Sequence, residues 1–121
     1  MTRAVRGAIQ VGANTKPLIE EGAVRLVTEL LRANGIAENH IVSIIFSLTE
    51  DLSAANPATG LRGIGFRDTP LFCVQEARVE GGLPRTIRVL LTWDSLERRE
   101  PRPVYLDGAR VLRPDLGDDA Q

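Results

Sequence analysis

Only one stretch of this 121-residue sequence carries apolar side chains at helical spacing over several turns, and that limits what the chain can build. Ile19, Ala23, Leu26, Val27 and Leu30 recur three and four residues apart. Asn14 or Thr15 can cap the start, Pro17 suits the first turn, Glu20 and Glu21 complement the positive end, and Asn34 with Gly35 stops the run. Elsewhere the apolar residues alternate or gather in short β-branched runs. From Arg3 to Val11, residues Val5, Gly7, Ile9 and Val11 share one face and Arg6 lies on the other. Ile41 to Leu48, IVSIIFSL, reads as a central strand, and Thr69 to Glu76 as another. In TIRVLLTW, Thr86 to Trp93, the odd positions Ile87, Val89, Leu91 and Trp93 are apolar, while Arg88, Leu90 and Thr92 share the opposite face.

The intervening TEDLSAANPATGLRGIGF is a polar loop enclosing a short helix, with Asn56 as its cap and Pro57 at its first position. RVEGGLPR is expected to join two strands as an antiparallel hairpin through Gly81-Gly82, and VYLDGARVL to form a last hairpin about Asp107-Gly108. The order of elements implies an α+β domain spanning residues 1–121: a mixed five-stranded sheet with one long helix and a short helix, and a flexible tail from about residue 115. One long helix cannot cover both faces of such a sheet. Leu90 beside Arg88 makes the second face partly apolar, so another subunit is expected to lie against it.

Composition narrows the partners. A net charge of -1 gives no general attraction to nucleic acid or anionic lipid, and no run approaches the ~20 apolar residues of a membrane span. MTRAVRGAIQV contains no secretory apolar region, and the lone Cys73 cannot form an intrachain disulfide, which fits a reducing cytoplasm. His40 is the only histidine, leaving little material for a histidine-based triad or a multi-histidine metal site. The glycines at 60, 63 and 65 match no dinucleotide fingerprint, and no Walker lysine follows. Neither a metal nor a cofactor is expected.

What remains is arginine, carboxylate and hydrogen bonding. Of the fifteen basic residues all but Lys16 are arginine. An unpaired buried guanidinium is costly, so each strand-borne arginine needs a partner. Glu76 or Glu80 could pair with Arg88, and other acids with Arg6 or Arg113. Taken together, though, Arg6, Arg88 and Arg113, with Tyr105 and Glu76, suit a dianionic, carboxylate-bearing small molecule. Cys73 in an apolar strand, with no histidine placed to activate it, reads as a small hydrophobe rather than a nucleophile.

Four segments, VRGAI, TEDLSAANPATGLR, CVQEARVEGGLPRTIRVLL and PVYLDGARVLRPDL, occur in an order and spacing that resemble the monofunctional chorismate mutases of the AroH class, from about Arg3 to Leu116. The resemblance implies a homotrimer, each subunit a mixed five-stranded sheet with helices outside, packed as a trimeric pseudo-α/β-barrel with active sites between subunits. It implies the cofactor-free Claisen rearrangement of chorismate to prephenate, in phenylalanine and tyrosine biosynthesis. Arg88 matches the arginine that faces the ether oxygen. Arg6 and Tyr105 match residues holding a substrate carboxylate, and Glu76, with Cys73 nearby, the group that engages the ring hydroxyl; Phe72 is a further expected substrate contact. Leu112 and Arg113 match the closing carboxy-terminal segment, and Asn56, Ala58, Thr59 and Arg62 the loop lent by a neighbouring subunit. Familiar members carry phenylalanine in place of Asn56 and lysine in place of Thr59. Strict alternation puts Cys73 and Glu76 on opposite faces, so a joint role requires a bulge or a strand end between them. The competing expectations are an imine deaminase-like enzyme with an interface arginine, and a trimeric module that binds a carboxylate metabolite without turnover.

Overall fold

The structure is a computed structural model and describes residues 1–115. The proposed fraying of the tail lies mostly outside them. Five strands, β1 (Thr2–Gln10), β2 (Ile41–Leu48), β3 (Leu71–Gln75), β4 (Thr86–Asp94) and β5 (Val104–Leu106), form one sheet in the order β3-β2-β4-β1-β5. The centre is antiparallel: β4 pairs with β1 along its length and with β2 on its other side. Both edges are parallel, β3 to β2 and β5 to β1. The sheet is therefore mixed, as expected.

The long helix α1 (Lys16–Asn34) begins where Thr15 accepts a hydrogen bond from the Leu18 amide at 3.4 Å, and ends at Gly35, whose φ of 60° is the left-handed conformation that a helix terminus favours. Glu20 and Glu21 lie beyond the first turn; Glu20 instead pairs with Lys16 at 3.5 Å. The short helix α2 (Pro57–Gly63) starts at Asn56, whose side chain accepts from the Ala58 amide at 2.9 Å. Both helices lie on the same side of the sheet. Ile19, Leu26, Leu30 and Leu61 meet Ile9, Ile44, Phe46, Ile87 and Leu91 there in one continuous core. None of the helices among the described residues is long and apolar enough to cross a membrane.

Among the described residues the other face has no such cover. Phe72, Val74, Leu90 and Ile45 are 64%, 43%, 40% and 39% exposed. Arg6, Leu90, Ile45 and Phe72 make one row across four strands, and Ala8, Arg88, Ser47 and Val74 the next. Among the described residues this face is sheltered only at the β5 edge, by a small cluster of Ala8, Tyr105 and Ala109 with Leu83 and Leu112 packed on it.

Neither expected hairpin forms. β2 sits between β3 and β4, so the Gly81-Gly82 segment is a crossing loop whose turn, with Gly81 at φ 78° and the Gly82 amide bonded to Val79 O at 3.0 Å, is internal to it. Ten residues separate β3 from β4, enough to pass over the end of β2. Asp107 has φ 54°, but it leads from β5 into a 3₁₀ turn, Asp107–Leu112, rather than into a returning strand. Arg25 on α1 fixes that corner, donating to both carboxylate oxygens of Asp107 at 2.9 and 3.4 Å.

The two helices touch at Gly60, where a Cβ would stand 2.7 Å from the Glu20 carbonyl oxygen. Backbone cannot yield as a side chain does. Gly60→Val should therefore lift α2 from α1 and cost about 1–3 kcal/mol, read as a lower urea midpoint at unchanged m value.

Candidate active site

Alternation along β3 continues past its last ladder residue. Phe72 and Val74 face away from the helices, and Glu76, two residues on, falls on the same side, its amide still bonded to Leu48 O at 2.7 Å. From there its carboxylate reaches across the end of β2: Oε2 accepts from the Ser47 hydroxyl, and Oε1 stands 3.7 Å from Nε of Arg88. Ser47 is the register partner of Arg88, so the three side chains form a bridge over β2 from β3 to β4. Glu76 is thus the ion-pair partner of Arg88, whereas Glu80 has none among the described residues. The pair is loose and half exposed, of the kind that adds little stability. It borders an open cleft of about 600 Å³ between the 76–84 loop and the Thr49–Asp51 turn.

Arg6 and Arg88 are diagonal neighbours on β1 and β4, since Ala8 is the partner of Arg88. Such positions stand about 7–8 Å apart. Arg6 makes no hydrogen bond or ion pair among the described residues, so two like charges share this face, with one loosely held carboxylate on the β3 side of Arg88, away from Arg6. Tyr105 lies beside Ala8 on β5 and is buried under the edge cluster. The Arg113 guanidinium sits 5.9 Å from its ring centroid and donates to both oxygens of Asp115 at 3.1 Å. Leu112 packs beside it. Arg6, Arg88, Glu76, Tyr105, Leu112 and Arg113 therefore lie along the open face, in or beside the row that runs from Ser47 through Arg88 and Ala8 to Tyr105.

The other expected residues stand elsewhere. β3 pairs regularly with β2 and has no bulge, so Cys73 lies on the helix side, packed against the core, with Glu76 on the opposite face. Burial pushes the Cys73 thiol up, which keeps it protonated at neutral pH and agrees with a hydrophobe rather than a nucleophile. Phe72 is on the open face but two strands from Arg88. Asn56 and Cys73 line a second opening with Ala55, Leu48 and Gln75. Asn56 is engaged as the cap of α2, Ala58 and Thr59 follow in its first turn, and Arg62 donates to the carbonyls of Phe66 and Arg67 at 2.6 and 3.0 Å. Within one subunit the two groups do not meet.

Two features of the site were not picked out from the sequence. One is Ser47; its signal was that Ser43 and Ser47 are the polar interruptions of an apolar strand and have the same parity. The other is a knot at the entry to β4. Asp51 accepts from the Thr49 hydroxyl, and its Oδ1 and Oδ2 accept from the Arg85 amide at 3.2 and 3.0 Å, while Thr49 Oγ1 accepts from the Thr86 amide at 3.0 Å. Arg85 has φ 50°, an unfavourable backbone for an arginine, and its Nε donates to Val11 O at 3.0 Å. These bonds hold the strained residue and set where β4 begins, two residues before Arg88.

The chain as a whole is matched by known proteins. The sequence model of the family described as chorismate mutase type I matches residues 2–116. The chain belongs to the chorismate mutase type I family. Among its relatives are the chorismate mutases AroH of Thermus thermophilus, 42% identical over 96% of this chain and 97% of that protein, and of Bacillus subtilis (strain 168), 36% identical over 96% and 93%. A solved chorismate mutase from Clostridium thermocellum superposes with a TM-score of 0.87 at 39% identity, covering 90% of this chain and 98% of that one. The enzyme is therefore a chorismate mutase, an isomerase, and the imine deaminase-like alternative falls away.

The Thr49 hydroxyl, then the Arg85 amide, hold the Asp51 carboxyl below the usual carboxylate range. Because the unfolded chain lacks these bonds, the charged form favours folding fully above about pH 4, and this contribution is lost as the pH falls through the lower, folded value. Asp51→Asn should thus lower the urea midpoint at pH 7 and flatten its decline between about pH 5 and pH 2 relative to the parent.

Proposed function

We propose that the enzyme rearranges chorismate to prephenate on its open sheet face, in a site completed by a second subunit of a homotrimer. The observation that carries this reading is the loose Glu76–Arg88 pair beside the unpartnered Arg6 on a face left partly apolar. In the reaction the ether C–O bond breaks as a C–C bond forms, within one molecule. It consumes no proton, electron or nucleophile. The protein has only to hold the substrate folded and to meet the charge that develops on the ether oxygen.

Arg88 is assigned to that oxygen. Arg6 and Tyr105 receive one carboxylate of the dianion, and Glu76 accepts from the ring hydroxyl. Leu112 and Arg113 close over the substrate, Arg113 exchanging Asp115 for it. Asn56, Ala58, Thr59, Arg62, Phe72 and Cys73, which stand apart from Arg88 in one subunit, are assigned to the wall that the neighbour supplies. Trimer contacts would bury Phe72, Val74, Ile45 and Leu90, whose combined exposure is unusual for a free monomer. A reducing, cytoplasmic setting suits the free Cys73 thiol.

Loss of chorismate absorbance with purified enzyme tests the assignment. Arg88→Lys should lower kcat by roughly two to three powers of ten, because a single ammonium cannot reproduce the guanidinium's reach and fork; a variant as fast as the parent would refute the role. Sedimentation at assay concentration should give a trimer, and a monomer of full activity would sink the shared site.

A further inference from the structure

We propose that Ser47 is a positioning residue for the reaction, holding the Glu76 carboxylate so that it neither collapses onto Arg88 nor swings into the cleft. The inference rests on the assignment of Glu76 to the substrate hydroxyl. Ser47 is placed to do this: it is the register partner of Arg88 on β4 and of Val74 on β3, two residues before Glu76. Its hydroxyl donates to Oε2 of Glu76. The carboxylate is thereby fixed at one oxygen while the other remains free.

The geometry of that second oxygen supports the reading. Oε1 lies 3.7 Å from Nε of Arg88, well beyond the ~2.8 Å of a charge-assisted hydrogen bond. Nothing in the backbone enforces this gap. The Glu76 amide is tied to Leu48 O, but three side-chain torsions lie between that anchor and the carboxylate. Released from Ser47, Glu76 could close into a bidentate pair with Arg88, neutralising the charge that the ether oxygen needs and filling the space of the ring hydroxyl. Alternatively it could turn toward the open cleft and leave the hydroxyl unmet. Ser47 makes both movements unfavourable, and its small side chain leaves the face clear for substrate. A hydroxyl also suits this task because a carboxylate with two oxygens can accept from serine and from substrate at once.

The test is a mutant cycle with Ser47→Ala, Ser47→Thr and Glu76→Ala, measuring kcat and KM for chorismate and the urea midpoint of each protein. Ser47→Ala should lower kcat/KM about tenfold, with both a smaller kcat and a larger KM. Ser47→Thr keeps the hydroxyl on a strand position that accepts a β-branched residue, and should stay within about threefold of the parent. Placed on Glu76→Ala, Ser47→Ala should add almost nothing, because its effect runs through the missing carboxylate. An undiminished loss on the Glu76→Ala background would overturn the proposal, as would a Ser47→Ala enzyme equal to the parent. If Glu76→Ala alone leaves turnover intact, the assignment of Glu76 fails and Ser47 with it. That outcome differs from a Ser47 failure in a background where Glu76 matters. The urea midpoint separates local from global effects: a fall in activity that tracks lost stability across the variants, Ser47→Thr included, also counts against positioning.

Discussion

Helices on one side only are the constraint from which the rest of the subunit follows. α1 and α2 bury Ile9, Ile44, Phe46, Ile87 and Leu91, so the alternate residues of the same strands must face outward. That exposed row contains apolar side chains too large to be solvated cheaply and guanidinium groups too polar to be buried alone. A neighbour can cover the first and a dianion can satisfy the second. On the proposed reading, fold, assembly and chemistry would share one cause, the imbalance between five strands and a single long helix.

Position within the sheet then decides what each charge can do. Arg88 lies on β4, which is paired on both sides, so its backbone is among the least free in the molecule. The Thr49, Asp51 and Arg85 knot fixes the start of that strand, and the Ser47–Glu76 bond comes from the strand beside it. In the role proposed for Arg88, a positive group preorganised in this way would not need to reorganise as charge develops, which is the main advantage a protein has over water in a reaction without acid, base or nucleophile.

Much of this was legible in the sequence because it depends on local period. The alternation in TIRVLLTW placed Arg88 and Leu90 on one face, and Ile19 to Leu30 marked the helix. The same alternation correctly separated Cys73 from Glu76. Strand order was another matter. Gly81-Gly82 and Asp107-Gly108 report that the chain turns, not which strand it reaches, and β2 inserts between β3 and β4 through pairings that no local pattern encodes. The site was readable only as far as its charged members, helped by the family motifs. Ser47 escaped notice because a small hydroxyl in an apolar strand is informative only once its register partner is known, and Arg85 because an arginine does not advertise a left-handed backbone.

The three-residue β5 gives the two ends of the site unequal stiffness. It pairs with β1 alone, at the sheet edge, and beyond it the chain is tied back by the half-exposed Arg25–Asp107 bridge. Local opening costs least where few ladder bonds must break. The segment bearing Leu112 and Arg113 is therefore held more loosely than β4 and Arg88. On the assignment proposed above, access and charge would then be divided between separate parts of the chain: product would leave by the fraying of an edge, without disturbing the electrostatic arrangement at the centre of the sheet.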